Sequence, residues 1–176
     1  RWFALCCVRR NPGGRAGMGG GITEGQTVFK TLFNAKDVNT NGVVFDDLFA
    51  DGETFKVGDL DAKVIATPGH TPACVTYVIG DAAFVGDTMF MPDYGTARTD
   101  FPGGDAGTLY DSIQKILSLP EETRVYVGHD YLPEGRTEYV WETTVAEQTA
   151  KNIHVHDGIN REQFIENPNK RDTATA

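Results

Sequence analysis

Three polar residues stand where chemistry is usually placed on a β scaffold: His70 in "TPGHT", Asp87 in "FVGDT" and His129 in "VYVGHD". Each follows a short apolar run and a glycine. Glycine lets the chain turn sharply and leaves room beside the next side chain. A carboxylate with neutral imidazoles is a good donor set for Fe(II) or Zn(II). Each residue alone also has a plain reading, as a surface or hydrogen-bonded histidine or a turn-forming aspartate. On pattern alone the metal reading and the turn reading stand level.

The elements around them must bring three loop residues together. "ETFKVGDLDAKVIATPG" reads as two strands about Gly58-Asp59, and "ACVTYVIGDAAFVGDT" as two more about Gly80-Asp81. Leu109, Ile113, Ile116 and Leu117 have helical spacing, so a helix is expected over 108–119, ended by Pro120. "RVYV" is a strand running into Gly128-His129-Asp130. Upstream, Thr23 and Gln26 predict a capping box, and Val28, Phe29, Leu32 and Phe33 an apolar helical face. A helix is expected over about 137–151 with Trp141 and Val145 inward, and a short one after the cap pair Asn160 and Gln163. Hairpins imply antiparallel neighbours, so a mixed α/β sandwich is expected rather than a doubly wound parallel sheet.

The chain has 176 residues, enough for one domain with a real core. Its formal charge of −9 argues against nucleic acid and anionic membranes as partners. Three cysteines, two of them adjacent as Cys6-Cys7, make no disulfide framework and fit a reducing, cytoplasmic setting. No apolar run approaches a membrane span. Six glycines within residues 13–21 predict flexible coil over the first 21 residues. Residues 22–166 are expected to form the domain, and 167–176 a frayed tail. The first residue is Arg1 rather than methionine, as in a fragment.

"TPGHT", "FVGDTMF" and "VGHDY", in this order and spacing, resemble the metallo-β-lactamase superfamily. Within it the chain is most similar to persulfide dioxygenases (sulfur dioxygenases) and to bacterial β-lactamase-hydrolase-like proteins. "PDYGTARTDFPGGDAGTLYDSI" and "YVWETTVAEQTAKNIHV" extend the likeness, which covers about residues 20–165. The resemblance implies an αββα sandwich and a single Fe(II) bound by His70 and Asp87. It places His129 at a second-metal position, near the iron without binding it in the dioxygenases. It also implies that Arg98, in "RTDF", contacts the carboxylates of glutathione, and that Tyr131 lies beside the thiol end of that substrate. The implied reaction is oxidation of glutathione persulfide by O2 to sulfite and glutathione, with a rhodanese-like protein as a candidate sulfur donor.

The sequence departs from the family at one place. The superfamily's His-x-His-x-Asp-His motif supplies a further ligand, and no histidine precedes His70. An N-terminally truncated sandwich is therefore expected, with an exposed sheet edge and a tendency to form a homo-oligomer. His154 and His156 are expected at a surface or interface, Cys74 as a buried small hydrophobe and Trp141 in the core. Besides the dioxygenase, a zinc hydrolase of a glutathione thioester (glyoxalase II-like) and a non-catalytic remnant stand as alternatives.

Overall fold

A computed structural model describes residues 16–166. Its centre is a six-stranded sheet in sequence order. Strands β3 (Thr54–Val57), β4 (Leu60–Ala66), β5 (Val75–Ile79) and β6 (Ala82–Gly86) form an antiparallel meander. Both expected tight turns are there, with Gly58 and Gly80 at positive φ. β7 (Arg124–Val127) then joins β6 in parallel, and β8 (Glu142–Thr144) closes the sheet antiparallel to β7. A parallel neighbour needs a crossover, and α2 (Ala106–Leu117) supplies it.

The core lies between one sheet face and the helices. Ala83, Val85 and Val125 meet Leu109, Ile113 and Ile116 of α2, Val145 of α3 (Val145–Lys151) and Phe164 of α4 (Arg161–Glu166). The three large α2 side chains are fully buried, each contributing about 1.5–3 kcal/mol by removal from water. Asp105 starts α2 by accepting from the Thr108 backbone N–H and hydroxyl, both at 2.7 Å. The Asn160–Gln163 pair forms the expected reciprocal cap at α4.

The opposite face carries a two-stranded parallel sheet, β1 (Gly17–Gly19) with β2 (Asp47–Phe49). Phe49 stacks on Phe55 at 4.6 Å and meets the edge of Tyr77 at 6.4 Å. Beyond this cover the face continues to Phe84, 41% exposed and stacked on Tyr126.

Several expectations need correction. Gly17–Gly19 is strand rather than coil: without side chains at 17 and 19, β1 lies directly against Phe49 and Val75. Residues 1–15 of the expected coil, and the expected tail, 167–176, lie outside the described residues. In α1 (Ile22–Leu32) no capping box forms. The Thr23 hydroxyl bonds the Gly20 carbonyl, and Gln26 turns inward to accept from the Gly42 N–H. The buried α1 residues are Ile22, Gly25 and Gln26, whereas Leu32 and Phe33 are exposed. The helix expected from 137 begins at Val145, because residues 141–144 pair with β7 instead. That pairing leaves Trp141 62% exposed, not in the core. His154 is buried, not superficial: its Nδ1 accepts from the Thr96 N–H at 3.0 Å.

Candidate functional site

His70 is set by a turn clamped onto the helix behind it. Gly69 has φ of 132°, and a Cβ there would come within 2.4 Å of the Leu109 backbone. The Asp105 N–H bonds the Gly69 carbonyl, and the Ser112 hydroxyl bonds the Pro68 carbonyl. His70 Nδ1 lies 2.8 Å from the Arg98 carbonyl oxygen. A carbonyl can only accept, so Nδ1 carries a proton, and in the neutral ring Nε2 keeps its lone pair. A metal-ligating histidine is commonly oriented in this way. The edge of the ring contacts Phe101 at 4.9 Å.

Asp87 follows β6, and His129 follows the neighbouring β7. Their side chains meet: His129 Nδ1 lies 2.6 Å from Asp87 Oδ1. Glycine at 128 permits this closeness, since a Cβ would sit 2.9 Å from the same oxygen and 3.0 Å from the Gly86 carbonyl. A buried hydroxyl chain links the strand ends from below, with Thr88 bonded to Thr67 at 3.1 Å and Thr67 to Thr76 at 3.4 Å. It ties the segment leading to His70 to the residue after Asp87.

Arg98 forms a bidentate pair with Asp100, and its guanidinium lies over Phe101 at 5.2 Å. That pairing holds the Asp100 carboxyl below its usual range. Tyr131 stacks on Tyr94 at 4.8 Å and on His129 at 5.7 Å, with Phe90 edge-on at 5.3 Å. Burial pushes its hydroxyl pKa up, and the Asp87 carboxylate adds to the effect. The Cys74 thiol is likewise pushed up by burial, against a hydrogen-bonding contact with the Thr71 hydroxyl at 3.2 Å.

His129 and Asp87 are therefore in contact, Tyr131 stacks on that histidine, and His70 is joined to Arg98 through the backbone. A ring nitrogen with a lone pair, as at His70, and a carboxylate, as at Asp87, are donor types that Fe(II) or Zn(II) takes. Among the described residues, no group of three or more His, Cys, Asp or Glu could hold a metal ion. A complete centre needs a donor from outside them. Tyr94, Phe101, Asp130 and Arg136 also shape the site, and sequence reasoning gave the last three no role. Phe101 was within reach, since it ends the "RTDF" stretch quoted for Arg98; Arg136 carries no local signal.

The family model of the metallo-beta-lactamase superfamily matches residues 9–129. The chain belongs to that superfamily. The match begins upstream of residue 20, where the resemblance was expected to start. A curated relative, glyoxylase B2 of Dictyostelium discoideum, is 50% identical over 163 residues, 92% of this chain and 56% of its own length. The mitochondrial persulfide dioxygenase ETHE1 of Homo sapiens is 42% identical over 94 residues, 52% of this chain and 36% of that protein. The crystal structure of ETHE1 from Myxococcus xanthus aligns with a TM-score of 0.61 at 27% identity, covering 96% of this chain and 89% of that one. The chain spans between about a third and somewhat over half the length of the curated relatives it matches. The two sheets with helices outside them are thus the metallo-β-lactamase arrangement, here with a two-stranded second sheet among the described residues.

Proposed function

We propose that this chain carries part of the site of an iron-dependent persulfide dioxygenase. His70 Nε2 and Asp87 would hold Fe(II) together with a donor outside the described residues. The bound metal would supply a centre at which a persulfide sulfur and O2 can meet, which lowers the entropic cost of their encounter. The reaction consumes glutathione persulfide, O2 and water and yields glutathione, sulfite and two protons. Arg98 would grip a glutathione carboxylate, a geometry its planar fork suits. Tyr131 would wall the thiol end, and His129 would orient Asp87 by donating to Oδ1, leaving Oδ2 for the metal. The observation that supports this reading is the contact of His70 Nδ1 with the Arg98 carbonyl, which leaves the other ring nitrogen free for a metal and sets the two residues side by side. A cytoplasmic location, a rhodanese-like sulfur donor and association into a homo-oligomer through the open face at Phe84 belong to the same proposal.

A zinc hydrolase of a glutathione thioester is the second reading, favoured by the likeness to glyoxylase B2 and by His129 standing against Asp87. Assays of the chain, alone and extended by an upstream His-x-His-x-Asp-His segment, separate the two. O2 uptake with sulfite formation from glutathione persulfide after anaerobic Fe(II) loading supports the dioxygenase. Thioester cleavage with two equivalents of zinc, and no O2 uptake, supports the hydrolase. No turnover of either substrate by the metal-loaded extended chain would overturn both.

A further inference from the structure

We infer that Arg136 is a positioning residue, and that its guanidinium fastens the two loops of the site to one another so that Tyr131 stands against His129 and Tyr94. This rests on the reading of Tyr131 as the wall of a thiol site. Arg136 reaches the carboxylate of Asp130 through both terminal nitrogens. Its Nε donates to Asp93 Oδ2 at 2.8 Å, and its Nη1 also donates to the Glu138 carbonyl at 3.1 Å. One side chain therefore joins the loop after β6, through Asp93, to the loop after β7, through Asp130.

The joined positions are the neighbours of the site. Asp130 lies between His129, which contacts Asp87, and Tyr131, which stacks on Tyr94. Tyr94 in turn directly follows Asp93. Asp130 is held from every side, accepting also from the N–H groups of Val140 at 2.8 Å and Leu132 at 3.3 Å. Its side chain is only 6% exposed and that of Arg136 18%, whereas Asp93 at 48% sits on the rim. Burying an ion pair is a poor route to stability, because desolvation offsets most of the attraction. What a planar fork between two carboxylates adds is direction. It adds a second polar tie, further out, between two loops that otherwise meet through the His129–Asp87 contact and the stacked rings.

Asp93→Asn and Arg136→Lys test this, since both leave a partner for buried Asp130 and should fold. Near-UV circular dichroism of the full chain reads the part of the tyrosine signal that Tyr131→Ala removes. Calorimetric titration with glutathione reads the site. Both variants should lose much of the Tyr131 signal, and Arg136→Lys should weaken glutathione binding by about tenfold, as loosened positioning does. In a Tyr131→Ala background the same substitutions should change affinity no further, whereas general destabilisation would weaken it in both backgrounds. A Tyr131 signal unchanged in both variants, or an equal loss of affinity with and without Tyr131, overturns the inference. If the unmodified chain binds no glutathione, the substrate reading fails, while the Tyr131 signal still decides the clasp.

Discussion

Arg98 is held by Asp100 before any ligand arrives, and this shapes what its loss should do. The pair is partly exposed and bidentate, so a substrate carboxylate would share or displace Asp100 rather than meet a bare cation. Arg98→Ala should therefore raise KM for glutathione persulfide by about tenfold or more and leave kcat nearly unchanged, as loss of uniform binding does. Steady-state kinetics on the metal-loaded extended chain would show it; an unchanged KM would remove Arg98 from the site. At this scale His70, Asp87 and His129 were readable because each follows a strand and a glycine. The motif around them also pointed to Arg98 and Tyr131. Arg136 was not readable, because its partner Asp93 lies in a different loop and is close only in space. Nor was the Thr76–Thr67–Thr88 chain, whose members look like ordinary strand residues.

Among the elements, α2 bears most of the positioning. It fills the core with Leu109, Ile113 and Ile116, and its first turn holds the Gly69 turn that aims His70. Ile113→Ala should cost about 2–5 kcal/mol, read as a lower urea midpoint. Its start is also sensitive to pH. The Thr108 hydroxyl and N–H hold the Asp105 carboxyl below its usual range. Thr143 and Lys151 do the same for Glu147 at α3. Both carboxyls release protons more readily folded than unfolded, so their contribution is present above about pH 4–5 and is lost as pH falls through their lowered values. Asp105→Asn should keep the cap but flatten this acid loss in urea titrations at successive pH values. Identical pH slopes in the two proteins would count against it. The hairpins, α2 and β7 were legible because Gly-Asp turns and helical spacing are local signals. The 137–151 segment was misread because pairing of 141–144 with β7 outweighed helical periodicity. Phe33 and Trp141 were placed on apolar faces by helical spacing, which does not say whether another layer will cover that face.

At the scale of the whole molecule, the six-stranded sheet and its helices place the site at the ends of β4, β6 and β7. The opposite face is covered at Phe55 and Tyr77 by β1–β2 and left open at Phe84. The glycine-rich start of the small sheet was unreadable as strand, because its pairing partner lies 30 residues downstream. The central claim is that His70 and Asp87 are iron ligands that the described residues do not complete. Its most direct test is iron content after anaerobic loading, in the chain extended by an upstream His-x-His-x-Asp-His segment and in the same protein carrying Asp87→Ala. Near-stoichiometric iron in the first and almost none in the second is the expected result. Iron retained in the Asp87→Ala protein would contradict the account.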